Sequence, residues 1–395
     1  MTAAVERRDP VDILHSLIGF ATVSRDPNRD LLAYVEEWLG KHGVTSQILW
    51  NEDRRKGNLW ATIGPSDRPG VILSGHTDVV PVDGQAWSSD PFAMRRAQDR
   101  VYGRGTADMK GFIAVALALV PEMKRRSLQA PIHLALSYDE ELGCLGVRSL
   151  VSKLADMPVK PALCIIGEPT RMQVVIGHKG GRSYRVRVTG SSAHSSLAPR
   201  AVNAIDYAAE LILFLRGIAA SWAEKGPFDA IFDVPHSTLS TGLIQGGTAI
   251  NIVPGACEFV FEFRHLASLD VEDLVRRIEG FALGLEARMR HVNPQTGIEF
   301  SALYEYPGLD MEPEHPAVTL VKQLVERNDH AKVAFGTEAG LFKGRAGIPA
   351  IVCGPGSIAQ AHQPDEFVEL AQLEACERML RRLLDRLEGS GPGVG

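Results

Sequence analysis

The chain has 395 residues, more than one hydrophobic core usually serves, so two domains are expected. Hydrophobic residues make up 45% and charged residues 23%, and the formal charge of −6 gives no electrostatic reason to bind nucleic acid or an anionic membrane. Five cysteines, odd in number and never spaced C-x-x-C, argue against a Cys-rich zinc knuckle and fit reduced thiols in a cytoplasm. No apolar core follows Glu6–Asp9, so no secretory signal is expected, and Gly111–Val120 is too short to span a membrane and reads as a buried helix.

In chain order, Val11–Gly19 and Leu31–His42 have helical spacing, the second closing at Gly43. Val44–Trp50, Asn58–Ile63 and the apolar run from Val71 read as strands, and Asp83–Asp99 as a loop. Helix Gly111–Met123, strand Pro131–Tyr138, helix Leu145–Leu154 and strand Ala162–Gly167 complete an α/β layer system. His178–Gly181 then reads as a linker. Strand Arg182–Thr189, helix Val202–Ala220, strands Thr238–Gln245 and Cys257–Arg264, and helix Val271–Met289 form a smaller α+β domain, with His291–Pro294 as the return. Helix Pro316–Glu326, strand Ala350–Cys353 and helix Leu370–Leu387 resume the α/β character, and Gly389–Gly395 reads as a disordered tail. The expected fold is thus α/β: a catalytic α/β/α domain from 1–178 and 293–395, interrupted by an α+β domain at 179–292.

The run Val71–Gly75 delivers His76 and Asp78 at the carboxyl end of a buried strand, where ligands of open α/β sheets sit. Asp108, Glu140, Glu141 and Glu168 fall at other strand ends or adjoining loops, and His362 follows the last strand. Singly each has a bland reading: a surface His, a solvated helix start at Asp139–Glu141, a turn at Glu168–Pro169. Jointly, His76, Asp108, Glu141, Glu168 and His362 offer two imidazoles and three carboxylates, enough for two ions with one bridging carboxylate. Such N/O donors suit Zn²⁺ and equally Co²⁺ or Mn²⁺. Asp78 can fix a ligand imidazole through its second nitrogen. Of the adjacent pair, Glu140 is assigned as general base and Glu141 as ligand, an order that spacing alone does not decide.

Gly75-His76-Thr77-Asp78-Val79-Val80-Pro81, Gly105-Thr106-Ala107-Asp108-Met109-Lys110-Gly111, Asp139-Glu140-Glu141-Leu142-Gly143, Ile166-Gly167-Glu168-Pro169-Thr170 and Ala361-His362-Gln363-Pro364-Asp365-Glu366 occur in that order. Together they resemble the dinuclear zinc amidohydrolases that include aminoacylase, succinyl-diaminopimelate desuccinylase and acetylornithine deacetylase, over nearly the whole chain. The resemblance implies two Zn²⁺ per subunit, with His76 and Glu168 on one, Glu141 and His362 on the other, and Asp108 bridging. It also implies a non-proline cis bond after Asp108. For the inserted domain it implies homodimerisation, a lid role, and a His194 that stabilises the oxyanion in the partner's site, within Gly190-Ser191-Ser192-Ala193-His194-Ser195-Ser196. Asn251, in Ala249–Gly255, and Arg264 match its substrate-contact motifs, and the Arg264 fork suits the α-carboxylate of an N-acyl amino acid.

The stretch Phe335-Gly336-Thr337-Glu338-Ala339 bears on the substrate. Desuccinylases resembling this chain carry Gly-Gly-Thr-Ser-Asp-Gly-Arg there, whereas Glu338 is acidic and suits a cationic amino group. Gly336–Ala339 and Cys353–Glu366 resemble the acetylornithine deacetylase branch, which implies hydrolysis of N²-acetyl-ornithine in arginine biosynthesis. The rivals are a desuccinylase, a broad N-acyl-amino-acid amidohydrolase, and a catalytically silent binding protein. Filled ligand positions and the presence of Glu140 argue against the last.

Overall fold

Val71–His76, Ile132–Ser137, Leu163–Pro169 and Ala350–Gly354 are buried at every position, as strands covered on both faces must be. In the computed structural model, which describes residues 9–389, they form the middle of a nine-stranded mixed sheet. Val71–His76 runs parallel to Ile132–Ser137 on one side and to Leu163–Pro169 on the other, with Ala350–Gly354 parallel beyond. Gly57–Ile63 and Ser46–Trp50 extend one edge in antiparallel pairing. Val175–His178 and Leu309–Asp310 extend the other. The chain therefore turns to opposite sides of Val71–His76 in its next two central strands. That is a topological switch point, where a crevice opens outside the strand ends. The leader and tail readings at Met1–Arg8 and Ser390–Gly395 lie outside the described residues.

Helix Lys110–Ala118 is buried along all nine residues and packs on the Val71–His76 and Leu163–Pro169 strands and on helices Pro10–Ile18 and Leu370–Glu388. The single helix expected at Gly111–Met123 is two, because Pro121 near the start of Val120–Arg125 has no N–H to continue the ladder. The expected loop Asp83–Asp99 contains strand Arg95–Ala97. It forms a tight hairpin with Arg100–Tyr102, which in turn pairs with the distant Phe367–Glu369 in a small separate sheet. The five cysteines are free and buried. Among the described residues no helix is long and apolar enough to cross a membrane.

The chain divides into two compact units. One runs to Gly177 and takes up Leu309–Lys332 and the chain from Thr337; the second is His178–Gly308 with Val333–Gly336. In the second, strands Thr238–Gly246, Ala256–His265, Gly180–Thr189 and Gly297–Tyr306 lie in that order, all antiparallel. Phe259, Phe261 and Phe263 alternate inward under helices Ala204–Lys225 and Val271–Val292. Two segments differ from the sequence reading. His178–Gly181 is not a linker but strand end and strand start. Gly297–Tyr306, beyond the expected return at 293, pairs with Gly180–Thr189, its Ile298 and Phe300 packing on the same core. The Asn293-Pro294 turn signal precedes one more strand of this sheet rather than its end.

Candidate active site

In the first unit, the switch-point strands place their carboxyl-terminal residues together. His76 closes its strand and is 1% exposed; its Nε2 lies 3.0 Å from Asp108 Oδ1 and 3.7 Å from Glu168 Oε1. His362 Nε2 lies 3.2 Å from Asp108 Oδ2 and 3.1 Å from Glu141 Oε2. Two donor triplets result, His76/Asp108/Glu168 and Asp108/Glu141/His362, each with ligand atoms within 4.8 Å of one another. Asp108 belongs to both. The peptide bond Asp108–Met109 is cis.

Electrostatics tests whether these residues fit a cation. Burial pushes the Glu140 and Glu168 carboxyls well above their usual range, and neighbouring carboxylates add to it; burial and Asp108 raise Glu141. Burial opposes charge on His76, yet its hydrogen bond to Asp108 and the nearby Glu168 carry the imidazole well above its ordinary value. Hydrogen bonds to Asp108 and Glu141 push His362 up to about 10. Asp108, despite burial, is held well below the carboxylate range by His362 and His76. Carboxylates gathered in a low-dielectric pocket thus draw protons onto their imidazole neighbours. Divalent cations would discharge the same excess and leave the imidazoles neutral to ligate. Two ions with three protein donors each fit this N/O set.

Outside both triplets, Asp78 organises them. His76 Nδ1 contacts the Asp78 carbonyl at 2.9 Å and its Oδ1 at 3.7 Å. The backbone N–H groups of Glu140 and Glu141 donate to Asp78 Oδ1 and Oδ2 at 3.1 and 3.3 Å, and the Ser24 hydroxyl to Oδ2 at 2.8 Å. One carboxylate thus sets both the imidazole and the turn that presents the two glutamates. Glu140 joins neither triplet; the Cys144 thiol contacts its Oε1 at 3.4 Å.

Thr337 and Glu338 also lie in this unit. The Thr337 hydroxyl accepts the Ala339 N–H at 3.1 Å, just ahead of the short helix Ala339–Leu341. Glu338 is 1% exposed, and the Ser74 hydroxyl contacts its Oε2 at 3.4 Å. Burial pushes its carboxyl up to about 7. A folded-state pKa above the unfolded value means stability that is full below the unfolded pKa and lost as pH rises through about 7. Glu338→Gln, free of the buried charge, is therefore expected to gain stability over the wild type at pH 8 by on the order of 3 kcal/mol, and to lose that advantage at pH 5. Urea unfolding of the metal-free proteins at both pH values checks this, and an equal difference at the two would contradict it.

The second unit holds the remaining candidates. His194 is exposed; its Nδ1 lies 2.8 Å from the Ser196 hydroxyl and accepts the Ser196 N–H at 3.3 Å. The Ser195 N–H donates to the Asn251 carbonyl at 2.9 Å, tying the two loops. The Arg264 guanidinium stacks 5.8 and 5.7 Å from the Tyr304 and Tyr306 rings, contacts the Tyr306 hydroxyl, and pairs with Glu262 at 3.2 Å. Gly336 packs on the same ring, where a Cβ would lie 2.0 Å from Tyr306 Cε2, so only glycine fits.

Several residues at the site carry no role in the sequence reading. Arg104 and Glu366 stand inside or beside the quoted motifs, charged residues near glycines and prolines, and are 1% exposed. That is a signal in hindsight, since buried charges need partners. Ser24 and Lys56, which pairs with Asp139 at 2.6 Å, have no local signal at all.

A mixed α/β sheet with two donor triplets gathered at its switch point defines a candidate dinuclear metal centre, and comparison with known proteins narrows it. Residues 72–386 match the family described as Peptidase family M20/M25/M40. The chain is 34% identical over 383 residues to an acetylornithine deacetylase of Proteus mirabilis (strain HI4320), covering 95% of this chain and 96% of that one. It is likewise 34% identical over 386 residues to an acetylornithine deacetylase of Yersinia pestis, with the same coverage of 95% and 96%. Among solved structures, an M20-family metallo-carboxypeptidase from Sulfolobus solfataricus is similar at a TM-score of 0.77 and 18% identity, covering 96% of this chain and 99% of that one. A dinuclear metal-binding M20 peptidase of Bacillus subtilis has a TM-score of 0.66 at 14% identity, covering 96% and 98%. The chain belongs to peptidase family M20/M25/M40. It is an amidohydrolase.

Proposed function

We propose that this enzyme hydrolyses the amide of an N-acyl amino acid, N²-acetyl-L-ornithine to L-ornithine and acetate. The observation that carries the chemistry is the pair of donor triplets sharing Asp108 beside an uncommitted Glu140. The relatives named acetylornithine deacetylase support the substrate. On this reading His76, Glu168, Asp108, Glu141 and His362 hold two divalent ions, Zn²⁺ with Co²⁺ or Mn²⁺ as alternatives. Bound there, such ions polarise the amide carbonyl and acidify a water. Glu140 takes the water's proton and delivers it to the nitrogen of the departing amine, so the carboxylate ends as it began. Asp78 keeps His76 and the Glu140 backbone in register for that transfer. Nε2 of His194, from the partner subunit of a homodimer, donates to the developing oxyanion. Arg264 receives the α-carboxylate, with Asn251, Gly336 and Thr337 beside the substrate. The inserted unit serves as dimerisation and lid domain.

The burial of Glu338 beneath Ser74 supports a structural carboxylate better than a contact for the ornithine amino group. The test of the whole reading is kcat/KM on metal-reconstituted enzyme for acetylornithine, acetylmethionine and succinyl-diaminopimelate. Acetylornithine is expected to lead; a lead by either other substrate reassigns the enzyme within its family. Arg264→Met is expected to lower kcat/KM by about 10–100-fold for substrates with a free α-carboxylate and to spare their carboxamide analogues, the loss of a charge-assisted pair. Equal losses on both would remove Arg264 from carboxylate recognition.

A further inference from the structure

Glu366 has no place among the proposed ligands or the base, yet no carboxylate of the described site accepts more donors. Its Oε1 accepts the backbone N–H groups of Ala107 and Asp108 at 2.9 and 3.1 Å; its Oε2 accepts that of Gly105 at 2.9 Å and Arg104 Nη1 at 2.8 Å. The side chain is 0% exposed. Burying a carboxylate is costly unless its lone pairs are filled, and here four donors fill them. Those donors come from the loop that carries Asp108, while Glu366 itself lies four residues after His362. The same buried pair grips the His362 segment. Arg104 Nη1 also donates to the Gln363 carbonyl at 3.3 Å, and its Nη2 to Gln85 Oε1. Gln85 Nε2 in turn donates to the His362 carbonyl at 2.9 Å. His362 and Asp365 both adopt left-handed backbone, φ 62° and 55°, a conformation that surrounding contacts must hold in a non-glycine residue.

We infer that Glu366, through Arg104, is a positioning residue that fixes Asp108 against His362 and so sets the affinity of the Asp108/Glu141/His362 triplet for its cation. The inference rests on the two-ion reading above. The two triplets lean on Glu366 unequally: Asp108/Glu141/His362 has two members, Asp108 and His362, that depend on it, whereas His76/Asp108/Glu168 has one, its other two riding on central strands. Outer-shell partners of metal ligands typically set about 10–100-fold in affinity.

The probe is Zn²⁺ alone, titrated into metal-free protein against a chromophoric chelator, with elemental analysis for stoichiometry. Glu366→Gln is expected to bind its first ion within a few-fold of the wild type and its second about 10–100-fold more weakly. Because the neutral amide of Glu366→Gln would leave Arg104 charged, buried and poorly paired, the double variant Arg104→Met/Glu366→Gln is measured alongside. A merely structural ion pair predicts that this neutral double variant regains wild-type zinc affinity. The positioning role predicts that the second ion stays weak in both, with thermal unfolding of the metal-free double variant near that of the wild type. Wild-type affinity in either variant, or equal weakening of both ions, overturns the inference. A wild-type protein that takes up fewer than two ions overturns the two-ion reading itself, and this inference with it.

Discussion

Glu140→Gln is expected to lower kcat by about 10²–10⁴-fold, the range a general base supplies, with KM and metal content unchanged. The Glu140 backbone is clamped by Asp78, its neighbour Asp139 adopts φ 52°, and its carboxylate stands outside both donor triplets. The substitution keeps side-chain volume and the contact from Cys144, so it removes basicity and little else. In the metal-free site burial raises the carboxyl well above its usual value; with ions bound, activity should fall on the acid side as the base is protonated. If Glu140→Gln instead lost its metal while the purified protein stayed folded, the assignment of base and ligand within the Glu140–Glu141 pair would be reversed.

Asp108→Asn should have the larger effect. Asp108 is the one residue common to both triplets, so its loss is expected to cut metal content from two ions to below one per chain and activity beyond the loss in Glu140→Gln. An amide of the same shape cannot supply the negative charge that both imidazoles and both cations need. There is also a metal-free readout. The hydrogen bond to Asp108 is the main cause raising His362, to about 10, and its counterpart from His76 raises that ring as well. In the metal-free variant both imidazoles should therefore titrate lower than in the metal-free wild type, which proton NMR of their ring signals would follow. Retention of two ions by Asp108→Asn would refute the bridging assignment.

The central strands were legible in the sequence because burial on both faces forces continuous apolar runs, as at Val71–Gly75. The donors were legible for a related reason: His76, Glu168 and the Glu140–Glu141 pair stand where such runs stop. What stayed hidden depends on partners distant in the chain. The short hairpin Arg95–Tyr102 is joined to a sheet only by Phe367–Glu369, which pairs with its second strand, and Gly297–Tyr306 is claimed by a sheet whose other strands lie far upstream. Lys56, Arg104 and Glu366 look like surface charges until their partners are seen. Glu338 shows the converse. Its motif and its charge suit recognition of a cation, yet its nearly complete burial against Ser74 favours a structural task.

The crossing order of the central strands carries a consequence for assembly. The donor side chains reach the crevice from segments as remote as His76 and His362, on opposite sides of an inserted unit. No contiguous piece of chain that lacks either His76 or His362 can therefore gather both triplets. Paired ion uptake on this arrangement can follow only the last docking step of the C-terminal segment, so a nascent or truncated polypeptide should be unable to scavenge zinc pairwise.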